Sequence, residues 1–287
     1  MSGAVSFHAA PSAPRLKLPA GSCDTHCHVF GPQAVFPYPA DARFKPADAP
    51  KEKLFALHDM LGIETCVIVQ SGAHGFDNRA TADAIAARAG RYKAVALLPH
   101  NAPLADIKAL DAQGFCGVRF NFMSHLARSA TPTELVAMAG RLAELGWHLQ
   151  VHFEAGLIDE LIPVLKESPV PVVIDHMARI DAGLGLNQPA YQSLLRAMED
   201  ELFWVKVSGC DRASRMGPPY ADAMAMARDL VARFPDRVLW GTDWPHPNHQ
   251  GPIPDDGALV DLIAEIAPSD QAMGKLMVGN PHRLYRF

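Results

Sequence analysis

The chain has 287 residues, 49% of them hydrophobic and 20% charged, with a mean hydropathy of +0.01. That profile belongs to a globular protein long enough to bury a large core. A net charge of −5 and a pI near 6.2 exclude the basic surface that nucleic-acid binding needs, and no run approaches the ~18 uninterrupted apolar residues of a membrane span.

Residues 1–20 read as an extended, proline-containing arm with no secretory pattern, and residues 21–287 as a single domain. Within that domain β-rich runs alternate with amphipathic stretches. The first run, SCDTHCHV, is followed by ETCVIVQ at 64–70, YKAVALL at 92–98 and FCGVRFNF at 115–122. WHLQVHF at 147–153, PVVIDH at 171–176, FWVKVSG at 203–209 and RVLWGTD at 237–243 complete a set of eight. Helical patterns lie between them, among them KEKLFALHDMLG, RATADAIAARAG, TPTELVAMAGRLAELG and PYADAMAMARDLVARF. The third opens with Thr131, Pro132 and Glu134, a cap, a first-turn proline and a capping-box carboxylate, and stops at Gly146. Eight strands buried on both faces, alternating with helices and lacking a glycine-rich phosphate loop after the first, predict a (β/α)8 TIM-like barrel.

Strand parity predicts that Asp24, His26 and His28 share one face of the first strand while Cys23 and Cys27 pack on the other. The cysteine count is five, odd and scattered, with no C-x-x-C, which suits reduced thiols in a cytoplasm. His58, on a helical pattern, reads as a surface or packing residue, and His282 as part of the barrel bottom.

Almost every predicted strand ends in polar residues that a packed core does not need. They are His26 and His28, then Ser71 and His74, His100, Arg119 and Asn121, and His152. Asp175, His176 and Arg179 follow, then Ser208 and Arg212, and finally Asp243 and His246. In a barrel these C-terminal strand ends converge on one mouth, where catalysis takes place. His26, His28, His152 and Asp243 form a nitrogen and oxygen set that suits one divalent metal, Zn2+ by its ligand types, with a place for water. Asp243 is then both ligand and proton acceptor, and His176 orients water or polarises a carbonyl. Without a metal, Asp243 is itself the general base and the histidines are donors; the residues support both versions. Arg119, Arg179 and Arg212, with Arg128 nearby, suit carboxylate or sulfonate groups, so the expected partner is a small substrate with two or more negative charges.

DTHCHVFG at 24–31, VIDHMAR at 173–179, WGTDWPHPN at 240–248 and GNPHRLYRF at 279–287 together resemble the amidohydrolase superfamily. More narrowly, the chain from about residue 15 to its end resembles the branch of 2-pyrone-4,6-dicarboxylate lactonases and sulfomuconolactone hydrolases. The resemblance implies a cytoplasmic barrel that hydrolyses a small anionic lactone in aromatic catabolism. In the pyrone lactonases the residue matching Asp243 activates water without metal. Those matching His26, His28, His176, Arg119, Arg179 and Arg212 hold the substrate, and Ser71 joins them as a substrate contact here. Two positions depart from that pattern: His152 stands where those lactonases carry tyrosine, and His125 where they carry arginine, with Arg128 close by. The first restores a histidine that metal-dependent members use as a ligand, which favours the metal-assisted version. A metal-dependent decarboxylase and a non-catalytic dicarboxylate binder are the remaining alternatives. The oligomeric state, monomer or homo-oligomer, stays open.

Overall fold

Eight parallel strands form one sheet in the order β1 to β8. They are β1 (Cys23–Cys27), β2 (Thr65–Val69), β3 (Tyr92–Ala96), β4 (Phe115–Phe122), β5 (His148–Phe153), β6 (Val172–Ile174), β7 (Phe203–Lys206) and β8 (Val238–Leu239). The coordinates are a computed structural model, and the structure describes residue 3 and residues 5–124 and 130–287. His125 and Arg128 therefore lie outside the described residues.

Helices α1 (Lys51–Leu61), α2 (Arg79–Ala87), α3 (Leu104–Asp111), α4 (Pro132–Ala143), α5 (Ile158–Leu165) and α6 (Pro189–Met198) connect the first seven strands in turn. After β7 come one helical turn, α7 (Cys210–Ala213), and α8 (Ala221–Arg233). Short helices α9 (Asp256–Asp261), α10 (Ile263–Ile266), α11 (Asp270–Gly274) and α12 (Asn280–Tyr285) close the chain. The start of α4 is the capping box expected from the sequence: Thr131 accepts from the Glu134 amide, and the Glu134 carboxylate accepts from the Thr131 amide. No described helix is long and apolar enough to cross a membrane.

The seam between β8 and β1 closes the barrel. Thr25 N donates to Trp240 O at 3.0 Å, Asp243 N to His26 O at 2.7 Å, and His28 N to Trp244 O at 2.7 Å. An inner core of Cys23, Val67, Val69, Val95, Val173 and Leu239 fills the barrel below the mouth, with Tyr285 of α12 beneath. His282 Nε2 lies 2.9 Å from Gly21 O at that lower end. The N-terminal arm is strapped down: Phe7 is buried 5.2 Å from Trp244, and Ser12 and Arg15 bond Asp255 and Asp261.

The strands are shorter than the β-rich runs, because several polar ends leave the ladder to turn inward. One expectation is overturned at β1. The register with β2 shifts between Asp24 and Cys27, and this bulge resets the alternation. Cys23 joins the inner core while Cys27 packs in the outer layer between sheet and helices. Asp24 does not share a face with His26 and His28; its carboxylate meets His58 of α1. Of the two expectations for His58, surface or packing, burial selects the second, and its ion pair with Asp24 adds a role that neither named.

Candidate active site at the mouth of the barrel

A cavity of about 590 Å3 opens at the C-terminal ends of the strands. His28, Ser71, Arg119, His152, His176, Arg179, Arg212 and Asp243 all line it, so strand ends scattered through the sequence do meet. His26 lies directly beneath, fully buried. Residues that the strand ends do not mark form the rim: Pro39, Arg43 and Phe44 after β1, Gly72 and Phe76 after β2, and Asn248. They are loop residues without periodicity, and only the three-dimensional path brings them there.

Asp243 is the hub. Its Oδ1 lies 3.3 Å from His28 Nε2, 3.7 Å from His26 Nε2 and 3.8 Å from His176 Nε2, and its Oδ2 accepts from Arg212 Nε at 2.5 Å. Against its burial, Arg212 and the surrounding imidazoles hold its carboxyl well below the usual range, so it is ionised. Asp243 adopts a left-handed backbone, φ +61°, which Asp tolerates better than most residues.

His176 and Arg179 are delivered by an unusual turn. All four residues from His176 to Arg179 have positive φ, between 48° and 56°, a single turn of left-handed helix. Such backbone costs about 1–2 kcal/mol per L-residue. Burial of Met177 and Ala178 in the outer core offsets that cost, and the three-residue spacing sends His176 and Arg179 into the cavity together. Gly209 leaves room for this turn, since a Cβ there would stand 3.1 Å from His176 Cβ.

The protons can be placed on part of the site. His28 Nδ1 is 2.7 Å from the Val69 carbonyl, which only accepts, so a proton sits on Nδ1, and Nε2 is the ring nitrogen that faces Asp243. His26 Nδ1 lies 3.2 Å from Lys206 Nζ and 3.3 Å from Asp175 Oδ1, while its Nε2 is buried without a partner. Burial, then the Lys206 ammonium, pushes His26 down to about 3; burial also holds His176 well below its usual range, against Asp243. Both imidazoles are therefore neutral at pH 7. Lys206 and Gln150, neither marked by sequence pattern, support this layer: Gln150 Nε2 donates to Asp175 and its Oε1 accepts from Lys206 at 3.0 Å.

His26, His28 and Asp243 bring ligand atoms within 4.8 Å of one another, a spacing that one metal ion can bridge. His26 Nε2, which has no hydrogen-bond partner among the described residues, and His28 Nε2, 3.3 Å from a carboxylate oxygen, fit such an ion. His152 is outside this group. Its Nδ1 pairs with Asn121 Oδ1 at 3.1 Å, its ring stands edge-on 5.6 Å from His176, and its Nε2 has no partner.

The arginines divide into two kinds. Arg119 donates to Asp175 at 2.7 Å and Arg212 to Asp243, so both carry internal counter-charges. Arg179 has no carboxylate partner among the described residues, and burial and then Arg212 lower its affinity for its proton. A half-buried guanidinium beside another cation is a receptor for an anion. Ser71 Oγ accepts from Ala73 N at the rim. The remaining histidines serve elsewhere: His74 accepts from Gly31 N, His246 pairs with Asp256 and His249 with Asp211.

The amidohydrolase family model matches residues 23–287. The chain is 44% identical to a 2-pyrone-4,6-dicarboxylate hydrolase of Comamonas testosteroni, over 99% of this chain and 96% of that protein. It is 38% identical to a 4-sulfomuconolactone hydrolase of Hydrogenophaga intermedia, over 94% and 90% of the two chains. Among solved structures, a probable 2-pyrone-4,6-dicarboxylic acid hydrolase of Acinetobacter baumannii with citric acid bound superposes with a TM-score of 0.81 at 28% identity. That match covers 93% of this chain and all of the other.

Proposed function

The chain belongs to the amidohydrolase family, and on that premise we propose that it hydrolyses a small lactone bearing two acidic groups. The class is that of 2-pyrone-4,6-dicarboxylate or a sulfomuconolactone, as the names of its relatives suggest. The observation that carries the reading is Asp243: an ionised carboxylate, anchored on one oxygen by Arg212, with three imidazoles around the other.

In this reading a water at Oδ1 loses its proton to Asp243 as its oxygen bonds to the lactone carbonyl carbon. Charge developing on the carbonyl oxygen is met by His176 and the neighbouring guanidiniums, donors already fixed before reaction. Collapse breaks the ring C–O bond, and the ring oxygen takes the proton from Asp243. Arg179, without a carboxylate partner among the described residues, holds one acidic group of the substrate, and Arg119 supports a second. Ser71 sits at the rim, and the acid contacts expected of His125 and Arg128 fall outside the described residues.

A second reading adds one divalent ion, Zn2+ by its donor types. It is favoured by the close grouping of His26 Nε2, His28 Nε2 and Asp243 Oδ1, with His26 Nε2 lacking a hydrogen-bond partner among the described residues. His26, His28 and Asp243 would hold the ion, which would act as a Lewis acid on water or carbonyl. His152 would then contact substrate rather than metal. We place the enzyme in the cytoplasm, because its five cysteines are all free and buried.

The test is direct. 2-Pyrone-4,6-dicarboxylate and 4-sulfomuconolactone are offered to the purified protein, and loss of the lactone absorbance is followed. Turnover of either supports the reading, and turnover of neither at millimolar concentration rejects it.

A further inference from the structure

Asp24 lies outside the cavity, on the far side of β1, yet both of its carboxylate oxygens are fully engaged. Its Oδ1 accepts from His26 N at 2.9 Å and from Thr242 N at 3.2 Å. Its Oδ2 accepts from Thr242 Oγ1 at 2.6 Å and from His58 Nε2 at 3.2 Å. His58 Nδ1 in turn pairs with the Tyr92 hydroxyl at 2.6 Å. Asp24 and His58 are fully buried, and they link β1, α1, β3 and the segment after β8.

The place of these bonds matters. Strand β8 has only two ladder residues, so beyond Leu239 no regular sheet pairing with β7 guides the chain toward Asp243. The seam bonds and the Asp24 carboxylate take over that role, gripping residue 242 immediately before Asp243 and residue 26 immediately before its own inward turn. Gly241 shows how close the approach is: a Cβ there would stand 2.5 Å from His26 N and 2.8 Å from Asp24 Oδ1. Asp243, in a left-handed conformation, cannot relax into a common strand geometry without releasing Thr242.

We propose that Asp24, backed by His58, is a positioning residue for Asp243, fixing the carboxylate against the imidazoles through Thr242 and the His26 amide. Asparagine at position 24 keeps the size but cannot accept hydrogen bonds at both ends, so the link to His58 and Thr242 is broken. Valine at position 242 keeps the shape and removes only the hydroxyl. The inference rests on Asp243 being the water-activating carboxylate.

The experiment measures kcat and KM for lactone opening in Asp24→Asn, Thr242→Val, Thr242→Ser and His58→Gln, each below its unfolding transition. Sub-ångström misplacement of a catalytic group predicts kcat lower by about 10- to 100-fold in Asp24→Asn and Thr242→Val, with KM within about twofold. Thr242→Ser restores the hydroxyl and returns kcat toward the unsubstituted value. The Asp24→Asn, His58→Gln double variant is no slower than Asp24→Asn alone, because the two act as one unit. Leu57→Ala, a packing loss in the same layer, lowers the melting temperature and leaves kcat unchanged. Asp24→Asn and Thr242→Val that melt earlier but turn over at the full rate would overturn the inference, reducing Asp24 to a structural buckle. Full activity in Asp243→Asn would overturn the reading of Asp243 itself and this inference with it. An inactive Asp243→Asn beside a fully active Asp24→Asn overturns this inference alone.

Discussion

His28 and Asp243 face each other across the floor of the cavity: His28 Nδ1 is committed to the Val69 carbonyl at 2.7 Å, and its Nε2 stands 3.3 Å from Asp243 Oδ1. Either a proton on Nε2 or a metal ion between the two groups would make that approach favourable. The ion reading predicts about one equivalent of zinc in protein purified without chelator, lost in His28→Ala and retained in His152→Ala. Elemental analysis reads both. Full lactone turnover by metal-free protein would assign the place to a shared proton instead.

Arg179 has no carboxylate partner among the described residues, and its removal should act on binding. Arg179→Met is expected to raise KM for a two-acid lactone by about 10- to 100-fold, the worth of one charge-assisted contact, with kcat changed far less. Steady-state kinetics at two salt concentrations checks it. An unchanged KM would place the acid group elsewhere.

Stability should depend on pH in opposite senses on the two sides of pH 6.5. His26 and His148 are pushed down to about 3, mainly by burial. Between pH 3 and 6.5 the unfolded chain therefore binds protons that the folded chain refuses. Stability falls as pH drops through that window, by about 1.4 kcal/mol per unit for each histidine. His58 behaves oppositely: burial disfavours its charge, but Asp24 and Cys27 raise it to about 9. Its contribution is fully present below pH 6.5 and is lost as pH rises toward 9. Urea midpoints from pH 4 to 9 should show both slopes, and His58→Gln should lack the alkaline one.

Gly241→Ala tests the closeness of the seam. A methyl group 2.5 Å from the His26 amide nitrogen cannot be accommodated without moving β1 or the segment after β8. Overpacking of this kind costs about 1–3 kcal/mol, and turnover should fall with it. A variant with unaltered stability and rate would show that the seam yields easily.

The barrel and the meeting of its strand ends were legible in the sequence, since alternation and polar strand ends are local signals. Thr131 and Glu134 announced their helix by spacing alone. The orientation of Asp24 was not legible. A one-residue bulge after it reverses parity, and nothing in CDTHCHV marks the bulge. His58 looked unremarkable on an amphipathic helix because its partner is 34 residues away and across a layer. Lys206 was hidden in an apolar strand, and its role depends on Gln150 of β5 and on Asp175, just past the end of β6. The rim from Pro39 to Phe44 followed no period at all.

The central claim is that Asp243 activates water for lactone opening. The most direct test is the hydrolysis rate of 2-pyrone-4,6-dicarboxylate and 4-sulfomuconolactone by the unsubstituted protein and by Asp243→Asn. The account predicts turnover of at least one lactone, and a loss of about 100- to 10,000-fold in kcat on substitution, as removal of a general base requires. Lactone opening by Asp243→Asn at the unsubstituted rate would contradict it.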